Sequence, residues 1–312
     1  VEFDINPAGC FKDNFYSGGA MKQKLTYLSI LVFLLGIFFL TGCKEREKEK
    51  ASLGDHKGIK QKILVSGSGT LIPLFEKFKE AFEKEHPEYL VKILLGTNTG
   101  GAIKGVRDKI IDVGLCSRNL TPEEQKFGLK YVLLARDEII IAVNNGIMGI
   151  HELSPEQFRD IYEGKIRNWK QVGANDIPIV VLDRDDNEAI KITLKKELLG
   201  QELKIYKEAM VLMHAADMDK ALVAVAGAIG YTGKGEIKVQ RLVIKTMNIK
   251  GYKARTEDIR SGRYKLCIEI GVCVAPDMSD KTKVFFDFIT GPQGKAIMEQ
   301  YEYVSMGKVN GK

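Results

Sequence analysis

Residues 63–73 read ILVSGSGTLIP, and the reading of this stretch decides the fold. Ile63, Leu64, Val65 and Ser66 favour a strand. Gly67-Ser68-Gly69-Thr70 breaks it, and Leu74, Phe75, Phe78 and Phe82 follow at helical spacing on one face. The pattern is a strand, a glycine turn and a helix N-terminus. First-turn N–H groups of a helix lack internal partners, and the dipole there favours negative charge. The two glycines allow a ligand close to the backbone, and Ser68 and Thr70 add hydroxyl donors. The turn therefore reads either as a small anion cradle or as an ordinary strand-to-helix turn with Thr70 as its N-cap. It is not a nucleotide P-loop, because no Lys follows Gly69. It is not a nucleophile elbow either, because glycines flank Ser68 directly.

Toward the N-terminus the grammar changes. Lys22 and Lys24 follow Met21, Leu28 to Leu40 is almost wholly apolar, and Leu40-Thr41-Gly42-Cys43 closes the run. The apolar run is short for a membrane span and has the order of a secretory signal. Its ending resembles the lipobox of bacterial lipoproteins, which implies cleavage before Cys43 and lipid on that residue. Met21 is read as the start of the signal, with residues 1–20 an upstream extension. Residues 43–60 carry mixed charge and few apolar side chains, and read as a solvated tether.

Toward the C-terminus, strand and helix patterns alternate, which argues for an α/β architecture. Expected strands fall at 90–95, 110–115, 135–143, 177–182, 228–231, 241–244 and 266–274. Expected helices fall at 102–106, 188–199, 218–225, 281–289 and 292–301. Two further helices open at Thr121-Pro122-Glu123-Glu124 and Ser154-Pro155-Glu156-Gln157, each with a capping hydroxyl, a proline and an acid or amide three residues on. Three loops carry donors: 67–70, 97–101 and 117–118.

Composition narrows the chemistry. The 312 residues carry a formal net charge of +6, which is unchanged if residues 1–42 are removed. This mild excess suits an acidic ligand or surface. There is no basic stripe with interleaved aromatics, which argues against nucleic acid. The four histidines are scattered without HExxH, and the five cysteines show no C-x-x-C, so no metal site or cofactor is expected. Cys116, Cys267 and Cys273 read as free thiols. No nucleophile–base pair is assembled, so the chain is read as a non-enzyme.

The order of these motifs resembles the phosphate-binding family of ABC-importer substrate-binding proteins. The matching residues are Gly67-Ser68-Gly69-Thr70-Leu71, Asn98-Thr99-Gly100-Gly101, Asp112-Val113-Gly114 leading to Ser117-Arg118, Tyr162 to Trp169, Gly227 to Tyr231, and the closing 285–303. The resemblance implies a two-lobe, type II periplasmic-binding-protein-like fold hinged on two crossover strands, with an anion between the lobes. The crossings are placed near 136–139 and 235–239. Lobe one is then 61–137 plus 238–312, and lobe two is 138–237. It further implies an exported, lipid-anchored monomer that captures phosphate or a related oxyanion and passes it to an ABC permease. A surface or signalling lipoprotein of the same fold without tight phosphate binding is the alternative.

By the same resemblance, Thr70 and the Leu71 N–H match the first oxyanion turn, which also holds Ser68. Asn98 and Thr99 stand where the family has a Ser-Ser pair, Ser117 where it often has Asp, and Arg184 at its second-lobe arginine. Arg118 and Asn187 are expected at the same site. The Ser-Gly-Thr that follows the family's arginine is replaced by Glu188-Ala189-Ile190. Glu188, or failing that Asp185 or Asp186, is therefore expected to take the proton of phosphate. Trp169 and Tyr231 read as packing aromatics, and Asp112 as a turn cap.

One prediction concerns the anchor. Cys43→Ser should block processing and leave a larger, unlipidated protein. Mass spectrometry that places the mature N-terminus elsewhere than Cys43 would rule out the lipobox reading.

Overall fold

The computed structural model describes residues 60–306, all within one compact unit spanning Lys57–Lys312. The signal, Cys43 and the tether as far as residue 59 lie outside the described residues. In chain order come β1 (Gln61–Gly67), a 3-10 turn (Gly69–Leu71), α1 (Ile72–Glu85), β2 (Tyr89–Ile93), α2 (Asn98–Arg107) and β3 (Val113–Cys116). Then follow α3 (Pro122–Gln125), β4 (Lys130–Asn144), β5 (Glu152–Leu153), α4 (Pro155–Tyr162) and β6 (Val180–Arg184). Next are α5 (Ala189–Leu194), which continues as a π-helical turn (Lys195–Leu199), β7 (Met210–Leu212), α6 (Ala215–Ala224), β8 (Ala228–Gly233) and α7 (Lys234–Gln240). The chain closes with β9 (Ile244–Ile249), α8 (Thr256–Ser261), β10 (Cys267–Val274), α9 (Asp280–Thr290), α10 (Pro292–Gln300) and β11 (Val304–Ser305).

Local rules account for many of these boundaries. Both expected capping boxes form: the Thr121 and Ser154 hydroxyls accept the N3 backbone N–H groups, and Glu124 and Gln157 reach back to the cap N–H groups. The apolar face of α1 is fully buried at Leu74, Phe75, Phe78 and Phe82. Phe82 meets Phe285 of α9 edge-to-face at 5.0 Å between ring centroids. Thr70 is not the N-cap: it lies inside the 3-10 turn, Ser68 precedes that turn, and no side chain caps it.

Two parallel triplets frame the structure. The first has the order β2-β1-β3 and the second β7-β6-β8, with every pair inside each triplet parallel. In both, the earliest strand lies in the middle and the chain moves out to either side. That creates a topological switch at the carboxyl ends, the position where open α/β sheets take ligands. Strand β4 joins the two. Its first part, Lys130 to Glu138, pairs antiparallel with β10, which borders β3. Its second part, from Ile139, pairs antiparallel with β8.

The return crossing differs from the sequence expectation. The stretch 235–239 is helix α7, not a strand between lobes, and the strand expected at 241–244 begins only at Ile244. Strand β9 pairs with the second part of β4 and with β5, so the second sheet reaches Ile249, beyond the boundary set at 237/238. Gly233 and Gly235 each serve a close approach. A Cβ on Gly233 would overlap Asp137, and one on Gly235 would overlap the Tyr303 ring.

Asp137 sits in β4 just before the change of partners and is fully buried. It accepts the Gly235 N–H at 2.9 Å. Burial pushes its pKa up to about 7, against the opposing effect of the Gly235 N–H. The native state therefore holds a proton that the unfolded chain releases near pH 4. Stability from this group is present at low pH and lost as pH rises from about 4 to about 7, at about 1.4 kcal/mol per pH unit. Asp137→Asn should flatten that slope in urea unfolding measured across the window. Superimposable curves for parent and variant would exclude the assignment.

Candidate functional site

The donor loops converge at the carboxyl ends of the first triplet. Gly67 has φ +146°, and a Cβ there would overlap the Leu115 carbonyl oxygen, so this turn needs glycine. The Ser68 N–H donates to Leu115 O at 3.0 Å, which ties the β1 turn to the end of β3. Beyond β3, the Ser117 N–H donates to the Thr99 hydroxyl at 3.0 Å, and the two hydroxyl oxygens are 3.1 Å apart. Ser68, Thr70, Thr99 and Ser117 are all buried. Thr99 and Ser117, expected at the site as separate positions, are thus in direct contact.

The second triplet supplies the cation. Arg184 ends β6, and its side chain is buried with Nε making no hydrogen bond. One guanidinium nitrogen lies 3.5 Å from Met213 O, at the long limit of such a bond. A buried arginine nitrogen without a partner is costly unless something else satisfies it. The two triplets meet here: Glu188 Oε1 is 3.5 Å from the Thr70 hydroxyl, and an added Cβ on Gly69 would touch Ala215 at 3.9 Å.

A buried network beneath Arg184 fixes its backbone. The Arg184 N–H donates to the Tyr231 hydroxyl at 3.0 Å, and that hydroxyl donates to Asp183 Oδ1 at 3.0 Å. Lys191 Nζ donates to Asp183 Oδ2 and to Arg184 O, each at 2.7 Å, and to Asp186 at 2.8 Å. All three ammonium donors are thereby used. Asp183, Lys191 and Tyr231 were not singled out as site residues from sequence. Asp183 could have been noticed as an acid closing a buried apolar strand, and Lys191 as a cation between buried Ile190 and Leu194.

Several expected site residues are engaged elsewhere. The Leu71 N–H donates to Ser68 O at 3.1 Å within its own turn. Asn98 is exposed and accepts the Gly101 N–H at 3.0 Å, so it serves the first turn of α2. Arg118 is committed to Glu124 through both fork nitrogens at 2.7 and 2.9 Å. Asn187 and Asp185 are exposed and bonded to each other in a polar turn. Asp112 is structural, accepting the Leu64 N–H and Lys281. Trp169 is buried, with its indole N–H on Gly227 O. Tyr231 was read as a packing aromatic, but its hydroxyl carries part of the Arg184 network.

Glu188 faces Thr70 and also caps α5, its Oε2 accepting the Lys191 N–H at 3.0 Å. Burial raises its pKa, while Arg184, the Lys191 and Ile190 N–H groups and Thr70 pull it down. A cavity of about 360 Å³ opens beside the site, lined by Ser117 and Arg118 from one side and Ala189, Ile192 and Thr193 from the other. Among the described residues no cluster of His, Cys, Asp and Glu could hold a metal ion, and no helix is long and apolar enough to cross a membrane.

Hydroxyl donors at the ends of one parallel triplet and a buried arginine at the end of another, joined by the Thr70–Glu188 contact, make this the candidate site for a small anion. A family model for the PBP superfamily domain matches residues 49–293. The chain belongs to the PBP superfamily and has its α/β fold. It is 27% identical over 288 residues to the phosphate-binding protein PstS of Borreliella burgdorferi, covering 89% of this chain and 98% of that one. It is 23% identical over 295 residues to the phosphate-binding protein PstS of Bacillus subtilis, covering 91% and 94%. Among solved structures it resembles an ABC-type phosphate transport receptor from Vibrio cholerae, with TM-score 0.57 and 26% identity, covering 77% of this chain and 98% of that one. A Clostridium perfringens protein crystallised with bound phosphate shares the fold, with TM-score 0.69 and 24% identity, covering 79% and 100%.

The network beneath Arg184 predicts a large stability effect. Lys191→Ala leaves Asp183 buried without its cation, which should cost about 3–5 kcal/mol. Denaturant unfolding measures this, and a loss below about 1 kcal/mol would mean that Asp183 is not held as described.

Proposed function

We propose that this protein is the phosphate-binding receptor of an ABC importer, a binding protein rather than an enzyme. The observation that carries the reading is the buried Arg184 with its unpartnered Nε, beside Glu188, which itself reaches the Thr70 hydroxyl of the other triplet. A guanidinium offers a planar fork that fits phosphate oxygens, and hydroxyls accept or donate as the protonation of phosphate requires. The names of the relatives, which bind or transport phosphate, support the same ligand. The two sheets act as lobes that close on the anion by hinge motion at β4 and the neighbouring crossings. Ser68, Thr70, Thr99 and Ser117 serve it from lobe one, and Arg184 from lobe two. The exported chain is anchored through lipid on Cys43, works as a monomer, and delivers phosphate to a permease.

A second reading keeps the fold and the anchor but gives up tight phosphate binding, with the chain acting as a surface or signalling lipoprotein. Glu188 in place of a hydroxyl favours it. Calorimetry separates the two. Phosphate should bind, and Thr70→Ala should weaken binding by about 1.5–3 kcal/mol, the value of a hydrogen bond to a charged group. Arg184→Ala should cost at least as much. No heat with phosphate, sulfate or molybdate would favour the second reading. Phosphate binding unaffected by both substitutions would move the site elsewhere.

A further inference from the structure

Glu188 places a carboxylate where an anion receptor has use for donors. Its two oxygens are divided between the halves of the site. Oε2 accepts the Lys191 N–H at 3.0 Å, and Oε1 lies 3.5 Å from the Thr70 hydroxyl, 118 residues away in sequence. The second contact is a bridge between the two sheets. It is long for a hydroxyl–carboxylate bond, whose usual O···O separation is about 2.7 Å, so a better acceptor can replace it. The neighbouring acids do not share this position: Asp185 is exposed in its own turn and Asp186 is paired with Lys191.

We propose that Glu188 is an internal competitor for the anion site: its carboxylate occupies the Thr70 hydroxyl and the α5 backbone donor, and an oxyanion binds only by displacing it from Thr70. The proposal rests on the oxyanion-receptor reading and deepens it by naming the residue that limits affinity. An anion entering at Thr70 meets a like charge within a few ångströms, in surroundings where such repulsion is poorly screened. The orphaned Nε of Arg184 fits this arrangement. Glu188 lies close enough to feel the Arg184 charge, yet its oxygens are spent on Thr70 and Lys191, so the guanidinium is left with a donor for the incoming ligand. This role is opposite in sign to the proton acceptor expected from sequence. A proton acceptor strengthens phosphate binding and its removal weakens it. A competitor weakens the binding of every oxyanion, and its removal strengthens it.

The test is calorimetric titration of the purified protein and of Glu188→Ser and Glu188→Gln with phosphate and with sulfate at neutral pH. Both variants are expected to bind phosphate at least tenfold more tightly than the parent, and to gain affinity for sulfate as well. Equal or weaker phosphate binding in both variants, with the parent binding measurably, overturns the competitor role. If neither parent nor variants bind any oxyanion, the receptor reading falls and the inference falls with it. Thermal unfolding in oxyanion-free buffer gives an independent readout. Thr70→Ala and Glu188→Ser should shift the melting temperature non-additively because they remove the same bridge, and strict additivity would mean that no bridge exists.

Discussion

Strand β4 is the constraint from which the rest follows. Its backbone groups must all be paired once buried, and they are paired by β10 along the first part and by β8 and β9 along the second. One continuous strand therefore serves two sheets and fixes how they meet. Because β10 borders β3 while β8 borders β6, the carboxyl ends of the two parallel triplets are brought together. The Thr70–Glu188 contact marks that meeting. Asp137, buried beside the change of partners, couples the same strand to the α7 turn through the Gly235 N–H.

Electrostatics then decides what the meeting place can hold. Arg184 is buried, and its backbone is held through Tyr231, Asp183 and Lys191 rather than through an ion pair to its own guanidinium. Anchoring the backbone while leaving Nε unbonded keeps the head group available. The hydroxyls at the ends of the first triplet are polar but uncharged, so they tolerate an anion without adding a competing charge. Glu188 is the exception, and it is the feature by which this chain departs from a plain oxyanion cradle.

Much of the fold could be read from residues. The apolar spacing of Leu74, Phe75, Phe78 and Phe82 gave α1, and the Thr121 and Ser154 boxes gave two helix starts, because these signals are local. The ILVSGSGT turn was read as strand, turn and helix N-terminus for the same reason. What was not legible depends on which partners the fold brings together. The stretch beginning at Gly235 looked like a crossing because sequence cannot show Tyr303 packed against that glycine. Arg118 looked available because its pairing with Glu124 depends on how the α3 cap closes. Tyr231 looked like a packing ring because its hydroxyl partner, Asp183, is 48 residues away. Thr99, Ser117 and Arg184 were found through the resemblance, while the Thr99–Ser117 contact and the network beneath Arg184 were found only in three dimensions.

The most direct measurement is a crystal structure of the protein grown in phosphate. One phosphate is expected between the Thr70 hydroxyl and the Arg184 guanidinium, with Nε of Arg184 bonded to it and the Glu188 carboxylate moved off Thr70. Phosphate held elsewhere, or held at this place with Glu188 still on Thr70, would contradict it.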